Sequence, residues 1–203
     1  YFAWGAIWVK DTTATADAFI KDSSGNGNHG SPINGTTFTQ GKIGKARSFD
    51  GSDDYVDCGS GASLDITGAI TIEAWIYPIG KGDSDYPRIV DKSSGVGGGD
   101  PGYKIYLRAA QGYTLTLSGG GSSYTSTLAA NLNNWNYLVF IITETKWKLF
   151  LNGNWEEWDD IAKPSSVVQH LYIGNSPVDN RHFNGVIDEV RISNVARSAD
   201  YIR

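Results

Sequence analysis

"AITIEAWIYP", residues 69–78, decides the fold. Ile70, Ile72, Ala74 and Ile76 fall on one side of a two-residue period, and Thr71, Glu73, Trp75 and Tyr77 fall on the other. The first set belongs to a core and the second to an amphipathic surface. The same period recurs in "GYKIYLRA" (102–109), "YTLTLSG" (113–119), "WNYLVFIIT" (135–143), "KWKLFLNG" (146–153), "QHLYIGN" (169–175) and "GVIDEVRIS" (185–193). Each run is bounded by Gly, Asn, Pro or Asp, the residues that turn a chain between strands. Roughly ten strands or more fit, which predicts an all-β sandwich of two sheets with only brief helices.

Composition agrees. Among 203 residues there are 25 Gly, 11 Tyr and seven Trp, as expected of twisted antiparallel sheets joined by tight turns. Nothing mid-chain reads as a linker, so residues 1–203 are taken as one domain. Asn152-Gly153 is the preferred pair for a two-residue hairpin turn. "DKSSGVGGGDPG", residues 91–102, has no period and is expected to be a long mobile loop. Ser198 is placed to cap a short helical turn before the terminus.

Charge narrows the partners. With 17 Lys and Arg against 22 Asp and Glu, the net charge of -5 repels nucleic acid and suits calcium or neutral glycans. Cys58 is alone, so no intrachain disulfide forms and packing or a metal must supply the staple. No apolar run approaches the roughly 18 residues that span a bilayer, so no membrane insertion is expected. "YFAWGAIWVK", residues 1–10, carries no cleavage-site pattern. The absence of Met, even at position 1, suggests a processed product or an excised module.

Taken in order, "KDSSGNGNHGSPING", "ARSFDGSDDYVDCG", "AITIEAWIYP", "GYKIYLRA", "WNYLVFIITETKWKLFLNG", "LYIGN" and "FNGVIDEVRISNVARSADYI" resemble the laminin-G-like domain of the concanavalin A-like lectin/glucanase superfamily. The closing phrase is the most specific of them. The resemblance implies a jelly roll of two curved antiparallel sheets, with a convex back and a concave front, and an extracellular or cell-surface setting. The opening departs from the pattern: residues 1–20 replace the usual short first strand and read as an edge or connector strand, one able to pair with another molecule.

The glycine- and asparagine-rich bend offers oxygens from Asp22, Ser23, Asn26 and Asn28 to a hard cation, and calcium is the natural candidate, although the spacing is not that of an EF-hand. The resemblance implies a second carboxylate, Asp188, sharing a structural calcium with that bend. The alternative is that Asn and Gly serve turn geometry alone and Asp188 pairs with Arg191 or Arg47. His29 reads as a packed or turn histidine, because His170 and His182 have no neighbour at ligand spacing.

The glucanase relatives use alternating carboxylates on one strand to attack a glycosidic bond. Here Glu73 has no acidic partner at 71 or 75, and Asp188 and Glu189 are adjacent, so no enzyme is expected and no catalytic residue is assigned. Saccharide binding instead calls for aromatic platforms with polar groups to orient hydroxyls. Trp75, Tyr77 and Glu73 share a face, and Tyr86 and Tyr103 flank the glycine loop; these are the candidate ligand-binding residues. The alternative for Trp75, Trp135 and Trp147 is core filling. "NWEEWDD", residues 154–160, reads as an acidic edge that discourages strand addition.

The leading expectation is a non-catalytic carbohydrate-recognition or adhesion module for a polysaccharide or glycoconjugate, stiffened by calcium. Its rival is a structural protomer of a filament, fibre or capsid-like assembly that self-assembles through the N-terminal strand. A divergent glycosidase or lyase is a third reading.

Overall fold

The alternation of residues 70–76 becomes the centre of a sheet. The computed structural model describes residues 19–95, 97 and 99–202. The expected connector strand thus lies outside the described residues except for Phe19 and Ile20. In chain order the strands are β1 (Ser31–Ile33), β2 (Thr37–Gln40), β3 (Lys45–Asp50), β4 (Tyr55–Asp57), β5 (Ile70–Gly80), β6 (Arg88–Ser93) and β7 (Gly102–Arg108). They continue as β8 (Thr114–Gly119), β9 (Ser122–Ala129), β10 (Asn136–Ile142), β11 (Lys146–Leu151), β12 (Asn154–Asp159), β13 (Tyr172–Ile173) and β14 (Asn184–Ser193). One helical turn, α1 (Ala199–Ile202), follows Ser198 as expected.

Two antiparallel sheets of seven strands result. The first has the order β1-β4-β13-β6-β7-β8-β9, and the second β12-β11-β10-β5-β14-β3-β2. In the second, β5 lies between β10 and β14, with Ile72 opposite Phe140 on one side and Ile192 on the other. Ile70, Ile72, Ala74 and Ile76 are fully buried against Ile105, Leu107, Leu115 and Leu117 of the first sheet. Each large aliphatic side chain so enclosed contributes about 2 kcal/mol of transfer free energy.

Trp147 is a core residue. Its ring is fully buried beside Phe140, at 5.4 Å between centroids, and its indole N–H donates to the Ala162 carbonyl at 2.8 Å. Trp75 and Trp135 are not: they lie on the outer face of the second sheet, where Trp75 meets Tyr137 and Trp135 meets Tyr77. The β11–β12 hairpin turns at Asn152 and Gly153, whose φ values of 50° and 94° explain the choice of residues. Beyond it, β12 is an edge strand whose Glu157 pairs with Lys146 and Lys148 of β11. The acidic edge of the sequence is therefore a charged rim matched by lysines on its neighbour.

The glycine-rich segment is shorter than the sequence suggested, because Asp91, Lys92 and Ser93 complete β6. Between β6 and β7, Gly95, Gly99 and Asp100 are held over the outer face of the first sheet. Lys104 Nζ donates to Asp100 at 2.7 Å and to the Gly95 carbonyl at 2.8 Å, and Gly99 N–H donates to Ser118 Oγ at 2.9 Å.

Candidate functional site

The expected cation donors each make local contacts. Asp22 closes its own bend: Oδ1 accepts from Ser24 N–H at 2.8 Å, and Oδ2 accepts from the Ser24 hydroxyl at 2.8 Å and Asn28 N–H at 2.9 Å. Asn28 reaches across to Ser63 at 2.9 Å, while Asn26 is exposed. His29 is a turn histidine, its Nδ1 accepting from Asp22 N–H at 3.1 Å and its ring 4.5 Å from Phe19.

Asp188 serves a different turn. Its Oδ2 accepts from Ile43 N–H at 3.0 Å, in the Gly41–Gly44 turn between β2 and β3, and its Oδ1 accepts from Glu189 N–H at 2.9 Å. Burial raises its carboxyl above the usual range, against the stabilising amides of Ile43, Glu189 and Lys42. Asp22 and Asn28 thus hold the bend that leads into the first sheet, and Asp188 caps a turn of the second; a calcium shared by Asp22, Asn26, Asn28 and Asp188 stays an expectation. Elsewhere Asp50, Asp53 and Asp54 bring carboxylate oxygens within 4.8 Å of one another. Asp50 there accepts from Ser52 N–H, and Asp54 from Asp50 N–H, so both already stabilise their own turn.

The candidate ligand residues also separate. Tyr103 is 1 % exposed, with its hydroxyl donating to the Leu64 carbonyl at 2.9 Å, so it is a core residue and not a rim contact. The sequence period itself groups Tyr103 with Ile105 and Leu107, a signal outweighed by its nearness to the glycine loop. Glu73 is 2 % exposed and accepts from the Tyr137 hydroxyl at 2.7 Å, which leaves no carboxylate for a saccharide. Trp75 is stacked on Tyr137 at 5.0 Å, and the Lys42 ammonium lies 4.7 Å from its ring. These residues and Tyr77 share the outer face of the second sheet. Of the two candidates on the first sheet, Tyr103 faces the core and Tyr86, just before β6, borders a pocket.

That other face is the better-built site. Antiparallel pairing lines up Asp57, Tyr172, Asp91, Lys104, Ser118 and Ser123 in one row across five strands and the start of a sixth, since directly opposed residues share a face. A second row holds Arg88, Tyr106, Thr116 and Thr125. The first row is largely closed. Arg88 Nε donates to Asp91 at 2.9 Å, and Ser93 Oγ donates to Asp91 at 2.6 Å. Burial pushes the Asp91 carboxyl up and the Arg88 guanidinium down, and their mutual attraction opposes both shifts.

Beside these rows, two pockets open among the described residues. Near β4 and β13, Tyr55 and Tyr172 lie 4.5 Å apart with planes tilted by 33°. They border a pocket of about 450 Å³ whose lining includes Asn34, Asp53, Asn175 and Asn180. Burial, then the neighbouring Tyr55 and Asp57, push the Tyr172 phenol up to about 12, so it stays a hydroxyl at any physiological pH. Near β6 and β7, a pocket of about 320 Å³ is bordered by Tyr86, Arg88, Tyr106, Arg108 and Arg181. Residues 175–182 wall both: Arg181 N–H donates to Asn175 Oδ1 at 2.8 Å, and Arg88 N–H donates to the Arg181 carbonyl at 2.9 Å. Sequence reasoning missed Tyr55, Tyr172, Arg108 and Arg181, because only sheet pairing and that wall bring them together.

Two antiparallel seven-stranded sheets packed face to face define a concanavalin A-like jelly roll. The chain belongs to the concanavalin A-like lectin/glucanases superfamily: residues 50–203 match the Laminin_G_3 family model. No curated protein matches it in sequence. Among solved structures it is similar to domain 4 of AbnA, an extracellular arabinanase of Geobacillus stearothermophilus solved with arabinotriose. That likeness has TM-score 0.69 and 20 % identity over 89 % of each chain. It is also similar to the binding domain of Paraclostridial Mosquitocidal Protein 1, with TM-score 0.71 and 16 % identity over 98 % of this chain and 50 % of that one. A third is botulinum neurotoxin type C, described as depending on two ganglioside molecules for cell entry, with TM-score 0.65 and 11 % identity over 98 % and 49 %. The chain thus spans about half the length of these toxin chains.

Proposed function

We propose that this protein is a non-catalytic carbohydrate-recognition module of the extracellular space or cell surface. It holds a saccharide on the outer face of the first sheet. The observation that carries this reading is the half-buried Tyr55 and Tyr172 pair beside a pocket lined by amides and a carboxylate. Flat C–H faces of a sugar pack on such rings, and fixed amides orient its hydroxyls. The fold neighbours solved with arabinotriose or linked to gangliosides support the reading by analogy of architecture.

The candidate acids of the glycosidase alternative do not favour it. Glu73 is closed over by Tyr137, and Asp188 caps a turn. The test is retention on neutral polysaccharide gels. Tyr172→Ala is expected to weaken retention at least about tenfold, while the core variant Tyr103→Phe leaves it unchanged. Equal retention of Tyr172→Ala and the native chain rejects the site.

A further inference from the structure

The overall charge of -5 makes the pocket beside Tyr86 an exception. Its bordering residues include three guanidinium groups and no carboxylate. Arg88 is already matched by Asp91 beneath it at 2.9 Å. Arg181 reaches Asp179, on an exposed side chain, at 2.9 Å and donates to Ser84 Oγ at 3.0 Å. Arg108 has only neutral partners among the described residues: it donates to Thr125 Oγ1 at 3.2 Å and lies 5.6 Å from the Tyr86 ring.

The same ring takes the Arg181 guanidinium at 5.0 Å, so two cations approach Tyr86, and Tyr106 stands edge-on to it at 6.3 Å. The Nε–H groups of Arg108 and Arg181 are buried without an acceptor. Burial lowers the Arg88 guanidinium, and Arg181 adds like-charge repulsion. Guanidinium groups brought together, partly desolvated and short of negative charge favour an anion. Tyrosine faces beside them suit the ring of a sugar.

We propose that the pocket formed by Tyr86, Tyr106, Arg108 and Arg181 receives the carboxylate of an acidic sugar residue. This rests on the carbohydrate-recognition reading and extends it: because residues 175–182 wall both openings, one saccharide chain lies with a neutral unit on Tyr172 and an acidic unit at Arg108. The planar guanidinium fork matches a carboxylate by two parallel hydrogen bonds. The preference for neutral glycans expected from net charge is replaced by a local preference that net charge hides.

The test compares polygalacturonate, its fully methyl-esterified form and dextran sulfate as ligands in affinity electrophoresis. Native protein, Arg108→Gln/Arg181→Gln and Arg108→Lys are run with thermal melts to confirm folding. Polygalacturonate is expected to be held at least tenfold more tightly than the ester, with the difference shrinking as salt rises. The double glutamine variant abolishes that difference, and Arg108→Lys keeps part of it. Equal retention of acid and ester, an undiminished preference in the double variant, or stronger arginine-dependent retention of dextran sulfate overturns the proposal. Arginine-dependent retention of polygalacturonate without any retention of neutral polymers supports the pocket and refutes the tyrosine platform; the opposite pattern refutes the pocket alone.

Discussion

Asp188 Oδ2 lies 3.0 Å from the amide nitrogen of Ile43, so the last long strand clamps the β2–β3 turn through a carboxylate. Gly41 permits this approach: a Cβ there would stand 2.6 Å from the same oxygen. Asp188→Ala removes the acceptor from the amides of Ile43, Glu189 and Lys42 and is expected to cost about 2 kcal/mol, offset in part by relief of the buried charge. The decisive measurement is the melting temperature with and without chelator. The loss is expected to be equal in both, and a loss seen only without chelator would make Asp188 a metal ligand.

Tyr103 ties the core to the carbonyl of Leu64. Tyr103→Phe keeps the ring and removes the hydroxyl, leaving that carbonyl without its donor. Chemical denaturation is expected to show a loss of about 1 kcal/mol. Saccharide retention should stay at the native level, because the residue touches no surface.

Lys104 pins the segment between β6 and β7 through Asp100 and Gly95. Burial lowers its ammonium, and the Asp100 carboxylate is the main force opposing that shift. Lys104→Met leaves a side chain of similar length without the donor. Hydrogen exchange at the Gly99 amide, which bonds Ser118, should then quicken by roughly tenfold or more. Unchanged protection there would show that the segment is held by other contacts.

Asp65 gives a pH dependence of stated sign. The Ser166 hydroxyl first, then the Val167 amide and Lys92, hold its carboxyl below the usual range, against some burial. A depressed carboxyl adds stability that is complete above the unfolded value of about 3.9 and is lost as pH falls through the folded value. Asp65→Asn should therefore lower the melting temperature at neutral pH and show a shallower decline below about pH 4. Asp54 and Asp188, which burial shifts upward, act in the opposite sense in both proteins and cancel from the comparison.

The sandwich was legible because alternation is a local property of the chain. Ile70, Ile72, Ala74 and Ile76 face the core in any register that buries one side of β5, and Asn152-Gly153 turns wherever positive φ is needed. The family phrases added the architecture. The candidate site was legible only in part: Tyr86 borders a pocket, whereas Tyr103 is core and Glu73 is sealed under Tyr137.

The chain alone determined which residues form strands, where hairpins turn and which side of each strand is apolar, since backbone sterics and hydrophobic period act over a few residues. Tertiary structure alone decided which turn Asp188 closes and which of two outer faces each aromatic occupies. It also decided that Tyr55 meets Tyr172, and that Arg108 and Arg181 both approach Tyr86. Those relations depend on strand order and on the path of residues 175–182. They join positions far apart in the chain, Tyr55 with Tyr172 and Tyr86 with Arg181 among them, and no local pattern encodes such a distance.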